Sequence, residues 1–199
     1  MSKKLLSLIL VALMCTSCTQ HVTLVTYNVG AFHKPGFCTI GPAAKVMKTF
    51  SPTVMALQEV DSCTHRSGGQ DQLRAFADSM AFGGCHYTPA FPFDGGGYGI
   101  GLTWAKTLKP KATHSVLLPK LDGSEVRALS VADFGRYVVA STHLDHISQA
   151  ARLTQVDGIT RWMKAHYGDT DIPVFLCGDF NDTPDSPTLT AVKESWQRL

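Results

Sequence analysis

Beyond the first twenty positions, short apolar runs and amphipathic stretches alternate along the chain. The run "VTLVTYNV" (22–29) has the length and β-branched content of a strand. "AAKVMKTF" (43–50) is apolar at helical spacing and is stopped by Ser51-Pro52, and "TVMALQEV" (53–60) is again a strand, so a β-α-β unit opens the domain. In "QDQLRAFADSM" (70–80), Leu73, Phe76, Ala77 and Met80 fall on one helical face. From His86 the pattern changes to "HYTPAF", "GIGLTWA", "ATHSVLLP", "VRALSVADF" and "RYVVASTHL", β-rich runs separated by Gly, Pro and Asp turns, which predicts antiparallel pairing. A helix over 148–166, the strand "IPVFLCGDF" and a last helix from "SPTLTAVKESW" follow. With no repeat, linker or low-complexity stretch, this is one α+β domain.

The N-terminus reads differently. Lys3 and Lys4 precede the apolar run Leu5 to Met14, too short to span a bilayer but right for the core of an export signal. The following "CTSC" resembles a bacterial lipoprotein signal, with residues 1–18 as signal peptide and Cys18 as the acylated residue. The expectation is an exported protein, held by a lipid anchor in a membrane facing periplasm or cell surface, with a domain over 19–199. Cys15 stands where such signals carry an aliphatic residue, so ordinary cleavage remains an alternative, as does a buried N-terminal helix.

Export permits disulfides among Cys38, Cys63, Cys85 and Cys177. Cys63 and Cys85 flank one predicted helix and are the better candidates for a bridge, whereas Cys177 in an apolar strand reads as a small buried hydrophobe. None has zinc-type spacing. The 199 residues carry 18 basic and 16 acidic side chains, a net charge of +2, with no run of either sign. That balance neither supports nor excludes a nucleic-acid partner.

Several apolar strands end in groups that a core strand does not need. "LVTY" ends in Asn28, "VMALQ" in Glu59, "VVAST" in His143 and Asp145, and "VFLCG" in Asp179 and Asn181. If these strand ends gather on one rim, they form a polar site. Each also has a local reading: Asn28 as a turn residue, Glu59 as a surface carboxylate, His143 with Asp145 as a structural pair, and Asp185 or Ser186 as a helix N-cap. An EF-hand over 179–190 is excluded, because Pro184 and Thr190 occupy the positions that need Gly and Glu.

In order and spacing, "TYNVG", "LQEVD", "GGGYGIGLTW", "STHLDH" and "GDFNDTPDS" resemble the motifs of the endonuclease/exonuclease/phosphatase superfamily. The resemblance runs from Val22 to Trp196. It implies a four-layer αββα sandwich of the deoxyribonuclease I type, and a hydrolase that uses Mg²⁺ or Mn²⁺ to direct water onto the phosphorus of a phosphate ester. It implies Glu59, Asn28 and Asp179 as metal residues, and His143, Asp179, Asn181 and Tyr98 as catalytic. Asn181 and His143 would face the substrate phosphate, with Arg127 and Arg66 as further clamps. Oxygen donors of this kind suit a hard cation that takes only one or two carboxylates.

The family's closing Ser-Asp-His motif has no counterpart after Asn181, so the expected sandwich lacks its final strands, and His146 and His166 are poor substitutes. A catalytically impaired metal- or phosphate-binding protein is therefore the alternative to a working phosphodiesterase, nuclease or phosphatase. Nucleic acid, phospholipid head group and sugar phosphate all present the same phosphate. The loops "CTHRSGGQ" and "FPFDGGGY" would choose among them. No protein partner is evident.

Overall fold

A computed structural model describes residues 21–33 and 39–198. The signal segment with Cys18, and Cys38, lie outside the described residues. The order of elements is β1 (Leu24–Asn28), α1 (Ile40–Lys48), β2 (Val54–Ser62), α2 (Gln72–Met80), β3 (Gly84–Phe93), β4 (Gly96–Trp104), β5 (Ala112–Leu117), β6 (Ala128–Asp133), β7 (Val138–His143), α3 (Gln149–Tyr167), β8 (Val174–Asp179) and α4 (Pro187–Ser195). A short 3-10 turn, Gly30–Phe32, follows β1.

Side-chain caps set the helix starts. The Asp71 carboxylate accepts from the Arg74 N–H, the Ser148 hydroxyl from Ala151, and the Ser186 hydroxyl from Leu189, ahead of Pro187 at the first turn. Helix α2 stops where Ala81 turns left-handed at φ 59°. Its predicted face, Leu73, Phe76, Ala77 and Met80, is the buried one.

Two four-stranded sheets result, ordered β1-β2-β4-β3 and β5-β6-β7-β8. Each is mixed, with β1–β2 and β7–β8 parallel and the rest antiparallel. Strand alternation builds the four layers. Met55 and Leu57 of β2 pack under α1 and α2, while Val54 and Ala56 face Ala132 and Val139 of the second sheet. Val138 and Ala140 of β7 pack under α3 with Val156, Ile159 and Met163. Each large aliphatic side chain so buried contributes about 1.5–3 kcal/mol of transfer free energy. The sandwich is the architecture that the resemblance implied.

Two details depart from the sequence reading. The glycine run starting at Gly96 is strand rather than turn, because β4 is crowded. A Cβ on Gly96 would stand 2.2 Å from the Ser62 carbonyl oxygen, and one on Gly99 2.2 Å from that of Thr88. Cys63 and Cys85 do not bridge; they and Cys177 are free. Strand β4 lies between β2 and β3, so the two thiols are separated by two strand spacings, about 9–10 Å, beyond disulfide reach. They also sit at opposite ends of the sheet, since Cys85 pairs with Thr103 and Cys63 follows the Ser62–Gly97 pair.

Within these sheets, β1 and β8 each have one strand neighbour and lie on the same side of the sandwich. A cleft of about 940 Å³ runs along them, floored by Leu24, Phe175, Cys177, Val192 and Trp196 and reaching Asn28, Asp179 and Asn181 at one end.

Candidate active site

The ends of β1, β7 and β8 and a bulge inside β2 bring five of the sequence-predicted residues, Asn28, Glu59, His143, Asp179 and Asn181, into one hydrogen-bonded chain. Asn28 ends β1. Its amide oxygen accepts from the Gly30 N–H at 3.0 Å, which fixes which way the amide faces. The amide nitrogen then donates to Glu59 Oε1 and to Asp179 Oδ2, both at 2.9 Å. One side chain thus joins two carboxylates, and with them the two sheets.

Glu59 reaches this position through a β-bulge. The register of β2 on β4 slips between Gln58 and Val60, so Leu57 and Val60 both face the helix layer and Glu59 sits in the slip with φ 56°. A left-handed non-glycine residue costs about 1–3 kcal/mol, and a bulge that re-aims a carboxylate is a common use of that strain. Asn181 is left-handed too, at φ 49°. Its main-chain N–H donates to Asp179 Oδ1 at 2.9 Å, and its amide nitrogen donates to His143 Nε2 at 2.8 Å and to the Leu144 carbonyl at 2.9 Å. His143 lies opposite Asp179 in the β7–β8 register, Nε2 being 3.9 Å from Asp179 Oδ2.

Charge states follow from this geometry. Burial would raise the Asp179 carboxyl, but the hydrogen bonds from Asn28 and the Asn181 N–H, with His143 and Arg127 nearby, outweigh it and hold Asp179 below the ordinary value. It is ionised at neutral pH. Burial, reinforced by the Arg127 charge, pulls His143 down to about 4 against the opposing pull of Asp179 and Glu59. The ring is therefore neutral, and since Nε2 accepts from Asn181 the proton is on Nδ1, which is buried without a partner. His143 faces a donor here, whereas the resemblance casts it as a donor to phosphoryl oxygens. That role requires protonation or the other tautomer.

The other predicted residues are distributed around this chain. Arg127 is buried, with Nη2 2.7 Å from Glu125 Oε2 and 3.0 Å from His146 Nδ1. Tyr98 pairs with Asp61 across β2–β4; burial, then the Glu59 charge, pushes its hydroxyl upward, so it stays protonated. Arg66 differs from the clamp role, because its Nε and Nη2 close on the two oxygens of buried Asp61 at 2.6 and 2.8 Å. His166 stacks on Trp162 at the end of α3.

Asp145 does not pair with His143; it accepts from the N–H groups of Glu125, Ile147 and Ser148 and so shapes the β7–α3 loop. Asp182 binds Arg152 at 3.0 Å. Of Asp179, Asp182 and Asp185, only Asp179, the last residue of β8, thus joins the chain with Glu59. Sequence reasoning missed Glu125, which holds Arg127; its signal was the "EVR" alternation, which puts positions 125 and 127 on one side of an extended chain. It also missed Gly178, whose φ of 152° lets β8 pass Thr142.

The residues present fit a hard divalent cation. Among the described residues no group of three or more His, Cys, Asp and Glu is placed to hold a metal, which is unlike a zinc centre. Two carboxylates turned toward one nitrogen, with Asp179 also lining the cleft, match an ion that takes one or two carboxylates and keeps waters.

Fold and site together define a four-layer sandwich with an acid–amide–acid cluster at one rim. Residues 25–195 match the model of the endonuclease/exonuclease/phosphatase family, and the chain belongs to that family. Its fold is shared by an endonuclease/exonuclease/phosphatase family protein of Bacteroides thetaiotaomicron, with 17% identity and TM-score 0.70 over 85% of this chain and 66% of that one. A mannosyl-6-phosphatase of the same organism has 17% identity and TM-score 0.68, covering 86% and 69%. ANGEL2, a 2′,3′-cyclic phosphatase, has 21% identity and TM-score 0.66, covering 85% and 56%. This chain therefore spans between 56% and 69% of the lengths of those three. No curated protein sequence matches it significantly.

Proposed function

We propose that the protein is a hydrolase of phosphate esters that depends on Mg²⁺ or Mn²⁺ and directs water onto phosphorus. The observation that carries this reading is the double donation from Asn28 to Glu59 and Asp179, which collects two carboxylates where β1 and β8 end beside the β2 bulge. A divalent cation bound by Glu59 and Asp179 would neutralise phosphoryl oxygens and make water a better nucleophile.

The chain's own groups supply the rest. Asp179, ionised at neutral pH, orients the attacking water or takes its proton. Asn181, whose two amide N–H groups are taken by His143 Nε2 and the Leu144 carbonyl, holds the His143 ring beside Asp179 and would reach a substrate phosphate by exchanging the His143 contact for it. Arg127 contributes a fixed positive charge where negative charge grows in the transition state. Export and anchoring through Cys18 belong to the same proposal, supported by the Lys3-Lys4 start, the apolar run and the small residues before Cys18. Mass spectrometry of the mature N-terminus tests that part.

The test of the chemistry is hydrolysis of bis(p-nitrophenyl) phosphate by the purified chain with Mg²⁺. Glu59→Gln, which keeps the shape and removes the charge, should lower the rate by about 10²-fold or more. Equal rates in both proteins would overturn the proposal. Metal binding without turnover in either would turn it into a binding protein.

A further inference from the structure

Beside the acid–amide–acid cluster, the β3–β4 hairpin carries three aromatic rings that belong to none of the three core clusters. Phe91 and Tyr98 have centroids 5.2 Å apart, Phe93 and Tyr98 6.2 Å, and Phe91 and Phe93 6.4 Å at a near-perpendicular 85°. Phe93 is 37% exposed. The Arg66 guanidinium carbon stands 4.4 Å from the Phe93 centroid and 5.9 Å from that of Tyr98. The plane of Arg66 is fixed although it is exposed, since Asp61 grips it at two points and Asp94 accepts from its main-chain N–H at 2.7 Å.

This group is tied to the candidate site through β2. Asp61 lies two residues beyond Glu59 on the same strand and opposite Tyr98 in the register. Here Phe93 and the Arg66 guanidinium stay exposed at the rim, over the half-buried rings of Phe91 and Tyr98. A planar cation immobilised on phenyl rings matches the flat face of a nucleobase, which stacks on both kinds of surface. A phospholipid head group or a sugar phosphate has no such face.

We propose that Phe91, Phe93, Tyr98 and Arg66 form a stacking subsite for a nucleobase, making the substrate a nucleotide or short oligonucleotide phosphodiester. This rests on the reading of Glu59 and Asp179 as the phosphate-facing metal site.

The experiment is isothermal titration of the full chain, in Ca²⁺, with two probes: adenosine 5′-phosphate and ribose 5-phosphate, which share the phosphate and sugar and differ in the base. Adenosine 5′-phosphate should bind at least about tenfold tighter, the range that one stacked base supplies. Phe93→Ala should remove that advantage while leaving ribose 5-phosphate unchanged, and Phe93→Trp should keep it. Melting temperatures of the variants confirm that they fold. Equal affinity for the two probes, or a Phe93→Ala effect of the same size on both, overturns the stacking subsite. If Glu59→Gln leaves both affinities unchanged while Phe93→Ala still discriminates, the metal-site reading fails and the base subsite stands on its own.

Discussion

The Asn28 amide is the joint of the site, and Asn28→Ala removes it. In the folded protein this amide donates to two carboxylates at 2.9 Å each and accepts from Gly30. Hydrogen bonds to charged groups contribute about 1.5–3 kcal/mol each. Both carboxylates are partly open to solvent and water can replace the donor, so the lower end applies, about 3 kcal/mol for the pair. Loss of the donor also leaves two like charges facing each other. For a domain of this size, 3 kcal/mol corresponds to a fall in melting temperature of about 6–12 °C.

The assay is thermal unfolding followed by far-ultraviolet circular dichroism at pH 7.5, in EDTA and in excess Mg²⁺. In EDTA the variant should melt about 6–12 °C below the wild type. With Mg²⁺ the gap should narrow, because a cation between the carboxylates relieves the repulsion that the amide had relieved. A gap below about 2 °C in EDTA, or one unchanged by Mg²⁺, refutes the reasoning.

Other expectations follow from the same geometry. His143 titrates at about 4 in the fold against 6.5 ordinarily, so below pH 6.5 the unfolded chain binds a proton that the folded chain refuses. Stability should fall by up to about 3 kcal/mol as pH drops from 6.5 to 4 and be constant in this respect above 6.5; urea midpoints should show this, and His143→Gln should flatten it. Gly178→Ala places a Cβ 2.2 Å from the Thr142 carbonyl oxygen at φ 152° and should cost about 3 kcal/mol or more, read in urea or as loss of soluble protein. Arg66→Met leaves Asp61 buried without its cation and should cost about 3 kcal/mol, while the double variant with Asp61→Leu recovers much of it.

Much of this was legible in the sequence where the signal is local. The apolar period of α2 gave its buried face, and the polar residues Asn28, Glu59, Asp179 and Asn181 that follow apolar runs marked the residues that the fold joins, although β2 continues past Glu59 to Ser62. What could not be read depends on which strand lies beside which. The slip at Glu59 exists only in the pairing of β2 with β4. The interposition of β4 separates Cys63 from Cys85, although in sequence they flank one helix. Arg66 and Arg127 look alike as isolated basic residues; one is gripped by Asp61 and the other is buried against Glu125. The acceptor state of His143 comes from its burial and from an amide 38 positions away.

That Glu59 and Asp179 form one cradle for a cation is tested most directly by titrating Mn²⁺ into the metal-free chain by calorimetry. One saturable site is expected in the wild type, and its loss in both Glu59→Gln and Asp179→Asn. Binding of the same affinity in all three proteins would contradict it.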